Sequence, residues 1–390
     1  MSLSISFTGD ISFSGIFAEE STVDFLDPQI ITFLRNSDYN VFNIEGALTT
    51  CENIPKLGVS LTSHPSRVDM FRNFPGVIFN LANNHIMDAG AAGLKETRFI
   101  AQNLNIQTLG AGMNLDEASR PLVLEKDNIK VSLIAVCHPE GSLATAERPG
   151  IFCDKQEEKL LDIIGECKEK TDWVVLNYHG GEEFSYVPMP SRRRKFLKYL
   201  ESGVDIIVAH HAHVVQGIEK KGGGMVFFSL GNFIFDIPGH LSFEGTEESV
   251  LIRIGFEKEK FTFEKIFTSI NRETGVINIL GNNTKFLEFE EPQYQGLWAN
   301  ECRRVIKRQY YNSMSNKIVN SNRYLGFLNQ VPRKFQNPLR YLKFIYFSLR
   351  LSNPYQRAFL AGTIKDLICR FGRKAEHDQK KDDANDLHKS

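Results

Sequence analysis

Seven short, largely apolar runs punctuate the first 230 residues of this chain, and polar or ionisable side chains close nearly every one. The runs are Ser4–Thr8, Val41–Ile44, Val77–Leu81, Lys130–Val136, Trp173–Tyr178, Asp205–Ala209 and Met225–Ser229. Several are continuous in Val, Ile, Leu and Phe, the pattern of strands buried on both faces. Helical spacing fills the gaps over Asp24–Arg35, Ala91–Asn103, Lys155–Lys170 and Ser191–Ser202. Strand–helix alternation of this kind predicts a layered α/β fold. Ser249–Ile270 and Thr274–Asn278 instead alternate apolar and polar residues, so antiparallel strands join and the sheets are mixed.

Rigid strands aim the residues beyond their C-terminal ends at one place, which is where α/β proteins collect functional groups. Here those ends carry Gly9-Asp10, then Asn43 and Glu45, then Asn83-Asn84-His85 with Asp88. Further along come His179 with Glu183, the cluster His210-His211-Ala212-His213, and Gly231-Asn232. Carboxylates, an amide and imidazoles are hard or borderline ligands, suited to Mn, Fe or Zn and typical of two-metal hydrolytic centres. Taken singly, each group has a plainer reading. Gly9-Asp10 can be a turn, and Asn43 and Glu45 a solvated strand edge. Asn83-Asn84-His85 can cap the next helix, and His179 can be a hydrogen-bonded core histidine. His64, His138 and His240 carry no supporting context and read as structural or rim residues.

The ordered set GD (Gly9-Asp10), NxE (Asn43, Glu45), ANNHxxDxG (Ala82–Gly90), HxGxE (His179–Glu183), HHxH (His210–His213) and SLGNF (Ser229–Phe233) resembles the capsule-synthesis CapA/PgsA family. That family in turn resembles the calcineurin-like metallophosphoesterases. The resemblance covers about residues 3–270. It implies a four-layer α-β-β-α sandwich with mixed sheets and two divalent metal ions at one edge. Carried over by motif, Asp10 and His213 bind the first ion, and Asn84, His179 and His211 the second. Glu45, helped by Asn43, takes the place of a bridging carboxylate. His85 becomes the general acid, with Asp88 orienting it or capping the following helix, while Glu183, His210 and Asn232 line the substrate pocket. The superfamily's His two residues after its first Asp is Ser12 here, and Gly180, Ala209 and Ala212 are smaller departures.

The formal net charge of −1 conceals an asymmetry. From residue 301 onward there are 19 Lys/Arg against 7 Asp/Glu, which leaves 27 against 40 in the first 300 residues. Opposite charge predicts separate jobs: a catalytic domain over 1–292, a basic, aromatic-rich helical region over 293–375, and a disordered tail over 376–390. Leu339–Leu351 mixes aromatic residues with cations. It can lie on an anionic membrane surface, dock on an anionic polymer or synthase partner, or pack on the acidic domain. Arg192-Arg193-Arg194 reads as an exposed basic helix face or a polymer contact. No nucleic-acid motif is present, so no nucleic-acid partner is expected. Six unpaired cysteines and the absence of a signal-peptide pattern or a long apolar span predict a cytoplasmic protein, peripheral at most to the inner membrane face. Two functions stay open: a metal-dependent hydrolase in the biosynthesis of an anionic, polyglutamate-type surface polymer, or a non-catalytic scaffold of a polymer synthase.

Overall fold

The apolar runs become strands of two mixed sheets in a computed structural model that describes residues 2–19, 22–56, 58–138, 142–281 and 286–315. The first sheet starts with β1 (Leu3–Ile11), β2 (Tyr39–Ile44), β3 (Val77–Asn80) and β4 (Gln107–Leu109), all mutually parallel. The chain then builds a six-stranded second sheet from β5 (Leu122–Lys126), β6 (Ile129–Cys137), β7 (Trp173–His179), β8 (Ile206–His210), β9 (Ile218–Lys221) and β10 (Gly224–Phe227). Its order is β9-β10-β8-β7-β6-β5, parallel at the centre and antiparallel at both edges. The chain finally returns to the first sheet. There β11 (Asn232–Ile234) pairs with β1, and β12 (Glu248–Phe256), β13 (Phe261–Ile270) and β14 (Ile277–Ile279) extend it antiparallel.

The two sheets face one another across a single apolar core. Trp173 of β7 packs its ring 6.0 Å from Phe256 and 5.6 Å from Phe261, and Phe227 of β10 stands 5.2 Å from Phe263. Alternation then sends Tyr178 and Phe228 to the opposite face of the second sheet. There Phe196 meets both, at 4.8 and 5.6 Å.

Phe196 belongs to one of four amphipathic helices, α1 (Pro28–Arg35), α2 (Gly90–Asn103), α3 (Glu157–Lys170) and α4 (Pro190–Glu201). Helices α3 and α4 cover the second sheet. Helices α1 and α2 belong to the first: Arg253 of β12 donates to the Phe33 carbonyl of α1 at 2.9 Å, and α2 packs on β4. The layers are therefore α-β-β-α, as expected from sequence.

Boundaries moved where local chemistry decides them. Helix α1 starts at Pro28 rather than Asp24, because Asp27 caps it by accepting from Gln29 N at 2.8 Å and Pro28 presets the first turn. Helix α2 has Ala89 at its N-cap, with no side-chain cap, so neither Asn83-Asn84-His85 nor Asp88 caps it.

The chain divides into a unit of residues 1–294 and a second that begins at Gln295, inside helix α5 (Gln293–Ser315). The second helical segment expected at Leu339–Leu351, and the tail from 376, lie outside the described residues. Among the described residues no helix is long and apolar enough to cross a membrane.

Candidate metal centre

The C-terminal ends of β1, β2, β7 and β8 converge at one edge of the sandwich. Asp10 owes its aim there to an irregularity. Phe7 pairs with Val41 and Asp10 with Asn43, three residues of β1 against two of β2. A strict period of two would turn Asp10 away from the face Phe7 occupies, and the bulge turns it back. Gly9 lies within the bulge, where a Cβ would stand 2.3 Å from the Gly231 carbonyl oxygen. Only a glycine lets the two backbones approach this closely.

Asp10 is fully buried. Its Oδ1 accepts from Asn43 Nδ2 at 2.7 Å and lies 3.3 Å from His210 Nδ1. Its Oδ2 accepts from the His211 backbone N–H at 3.2 Å and lies 3.4 Å from His213 Nδ1. Burial works to raise this carboxyl, yet His210 and His213 hold it well below the usual carboxylate range.

Glu45 follows β2 and is 1% exposed. Neither carboxylate oxygen has a hydrogen-bond partner among the described residues. Oε1 stands 3.9 Å from His85 Nε2, 3.9 Å from His179 Nε2 and 3.8 Å from His213 Nε2. These gaps are too long for hydrogen bonds. Those to His179 and His213 each suit a histidine sharing an ion with Glu45, since bonds of about 2.0–2.2 Å let two ligands stand up to about 4 Å apart.

Two triads share this residue, Glu45-His179-His211 and Asp10-Glu45-His213, each with its donor atoms within 4.8 Å of one another. Burial, with weaker help from the Asp10 charge, pushes the Glu45 carboxyl well above its ordinary value. Burial alone would lower His213, but the Glu45 and Asp10 carboxylates push it up to about 10. The centre thus calls for positive charge among its carboxylates, and a divalent ion fits the donors present.

The histidine cluster sits on strained backbone. His211 and His213 have φ of 86° and 55°. For residues with a Cβ this costs about 1–3 kcal/mol each, and it turns both imidazoles back toward Glu45. Asn84 adds its Oδ1 at 2.9 Å from His179 Nε2.

The family model for the bacterial capsule synthesis protein PGA_cap matches residues 4–237, a span that contains every residue of both triads. The chain belongs to the PGA_cap family. It is 32% identical over 267 residues to the PGA biosynthesis protein CapA of Bacillus subtilis (strain 168), covering 66% of this chain and 68% of that one. It is 31% identical over 223 residues to the capsule biosynthesis protein CapA of Bacillus anthracis, covering 55% and 54%. Among solved structures, a phosphatase of Mycoplasma pneumoniae aligns with 76% of this chain and 97% of its own, at 13% identity and a TM-score of 0.41. That likeness is too loose to carry chemistry across.

Around the triads of this PGA_cap chain, the remaining residues singled out from sequence divide by depth. His85 and Asp88 form a pair, His85 Nδ1 donating to Asp88 Oδ2 at 2.7 Å and leaving Nε2 toward Glu45. Burial lowers the His85 pKa, and the Asp88 carboxylate opposes this. Glu183, on the loop after β7, is only partly exposed, and burial raises its carboxyl.

Asn43 has its oxygen engaged by Asn80 Nδ2 at 2.9 Å, and its amide nitrogen holds Asp10 at 2.7 Å and lies 3.3 Å from His179 Nδ1. Asn232 and His210 differ from the pocket-lining positions expected of them. Both are buried: Asn232 lies between His213 Nδ1, at 2.9 Å, and the Thr246 carbonyl, while His210 turns to Asp10. Asn83 is likewise internal, donating to the Ile44 carbonyl at 2.6 Å and accepting from His85 N at 3.1 Å.

Other residues near the site carried no warning in sequence. His240 packs its ring 4.4 Å from His213, between Phe184 and Phe235, because the short turn Pro238–His240 folds back over the HHxH loop. Lys56 reaches the His85–Asp88 pair from an irregular loop.

The triple-arginine segment is not the exposed cationic face expected of it. Arg193 is held by Glu219 at 2.6 Å and Glu291 at 2.7 Å, over the Tyr294 ring. Arg192 donates to the Tyr178 hydroxyl, and only Arg194 is exposed. Acidic and aromatic partners on neighbouring elements absorb the charge, a tertiary effect that local composition does not reveal.

Proposed function

We propose that this PGA_cap protein is a metal-dependent hydrolase of the phosphoesterase type, acting in the biosynthesis of an anionic, polyglutamate-type capsule polymer. The observation that carries the reading is Glu45, buried, with both oxygens lacking hydrogen bonds and shared by two ligand triads. A mere structural carboxylate would leave two acceptors unsatisfied in the core, a costly arrangement unless a cation meets them.

Asp10, Glu45 and His213 would hold one ion, and Glu45, His179 and His211 with Asn84 the other. When bound, such ions would supply Lewis acidity and an activated water near neutral pH. The protein's own groups do the rest. Asp88 fixes the ring of His85 through Nδ1, and in the imidazolium form, which the Asp88 carboxylate favours, His85 would give its Nε2 proton to the departing oxygen. Asn43 and the His211 backbone keep Asp10 aimed, and Glu183 borders the mouth. Family membership and the two CapA relatives support a capsule context, and in it the substrate would be an anionic polymer or its phosphoester precursor. The basic sequence beyond residue 300 would then contact the synthase or an anionic membrane.

One observation favours the non-catalytic alternative. The Asp10-Glu45-His213 triad has three donors, and Ser12, two residues past Asp10, is buried with its hydroxyl unpaired among the described residues. The test is metal content of the purified full chain, with hydrolysis of bis(p-nitrophenyl) phosphate and of γ-linked glutamate oligomers, repeated with His211→Ala and His213→Ala. Two bound ions, lost in both variants together with turnover, are expected. Unchanged metal in both variants refutes the ligand assignment. Bound metal without turnover on any substrate replaces the hydrolase with the scaffold.

A further inference from the structure

The pocket gathers four carboxylates, Asp10, Glu45, Asp88 and Glu183, and a cation reaches it from an unexpected place. Lys56 lies on the irregular stretch that follows Thr49. Its ammonium is ion-paired with Asp88 Oδ1 and lies 3.2 Å from His85 Nδ1. One residue, Asp88, is bonded to the backbone on either side of Lys56. The Ile54 backbone N–H donates to the Asp88 carbonyl at 2.7 Å, and the Leu61 backbone N–H donates to Asp88 Oδ2, also at 2.7 Å.

Those two backbone bonds already fasten the loop, so the charged contact is not needed to close it. The side chain of Asp88 is 3% exposed while that of Lys56 is 32% exposed. An ammonium has three N–H donors. One meets Asp88, and the open flank of Lys56 leaves the others room to meet a ligand beside the ring that faces the triads. A fixed cation of this kind gives a charge-assisted hydrogen bond to an anion and offsets the repulsion that the carboxylates exert on it.

We infer that Lys56 is an anion-binding residue of this site, its ammonium held by Asp88 beside His85 to take a phosphate or carboxylate oxygen of the substrate. The assignment rests on the hydrolase reading for the identity of the site, and its own test is a binding measurement.

The full 390-residue chain is titrated calorimetrically with inorganic phosphate, and in a parallel arm with a γ-linked glutamate trimer, with and without added Mn2+. Lys56→Met weakens one or both anions by about tenfold or more, and Lys56→Arg keeps affinity within about threefold of the parent. The arm that responds identifies the anion. Thermal melts accompany each variant, and the arginine variant keeps the comparison valid should methionine loosen the loop. Binding of both anions by Lys56→Met at parental affinity overturns the inference, as does failure of the parent to bind either anion. Hydrolysis of bis(p-nitrophenyl) phosphate by the same preparations separates the two readings. Anion binding that depends on Lys56, without turnover, defeats the hydrolase and leaves Lys56 in place. Turnover with parental anion affinity in Lys56→Met does the reverse.

Discussion

Asn43 holds Asp10: the two are register partners across β1 and β2, and the Asn43 amide donates to the Asp10 carboxylate at 2.7 Å. Asn80, the partner of Asn43 on β3, donates in turn to the Asn43 oxygen at 2.9 Å. Three adjacent parallel strands therefore aim one carboxylate, and each hydrogen bond in the series polarises the next.

The bulge that puts Asp10 at the head of this series depends on Gly9. Gly9→Ala places a methyl group 2.3 Å from the Gly231 carbonyl, and one backbone must move. The expected loss is about 1–3 kcal/mol in urea denaturation, with weaker metal uptake because Asp10 shifts with its strand. Parental stability and parental metal affinity together would show that the strands part here without consequence.

Glu45→Gln separates the two effects of that side chain. In chelator, the variant is expected to be at least as stable as the parent, since burial disfavours the charged carboxylate and glutamine carries no charge. Added Mn2+ at about 100 times its Kd raises the parent's unfolding free energy by about 2.7 kcal/mol, and that of the variant by less than about 0.5 kcal/mol. Equal metal-induced shifts in thermal melts would remove Glu45 from both triads.

Asn83 and Asn84 are neighbours with opposite expected phenotypes. Asn83→Ala strands the Ile44 carbonyl and the His85 N–H inside the protein, for a loss of about 2–4 kcal/mol in chemical denaturation. Asn84→Ala is expected to stay within about 1 kcal/mol of the parent yet bind metal more weakly, read by calorimetry. Matching stabilities for the two variants would contradict this division.

Asp154 gives a pH signature outside the metal centre. Burial acts to raise its carboxyl, but hydrogen bonds from His138, Lys195 and Tyr178 hold it far below the ordinary carboxylate value. A depressed folded pKa contributes stability above the unfolded value of about 3.9, and that stability is lost as pH falls further. Asp154→Asn should therefore cost about 1–3 kcal/mol at pH 7, and the gap between parent and variant should narrow steadily below about pH 4. A pH-independent gap in the melting curves would mean that the carboxylate's charge does not matter.

Sequence showed the interior best. The central strands of both sheets were visible because burial on both faces leaves continuous Val, Ile, Leu and Phe runs, as in Trp173–His179. Strands β4, β5, β9 and β11 were not visible. Gln107–Leu109 and Asn232–Ile234 are only three residues long, while Leu122–Lys126 and Ile218–Lys221 are edge strands carrying exposed polar residues.

The donors of both triads were legible as residues after strands, since topology fixes where strand ends go. Their aim was not. A bulge redirects Asp10, and left-handed backbone redirects His211 and His213, neither of which follows from residue type. Lys56 and His240 arrive from an irregular loop and a single turn, where no periodicity exists to read.

Each triad draws on both halves of the sandwich, Glu45 and Asp10 from one sheet and the histidines from the other. An ion seated in either triad is consequently a rivet through the mid-plane. Prising the layers apart would tear that coordination, so with an ion bound, delamination and demetallation would become a single event, and withdrawal of the metal would soften the seam.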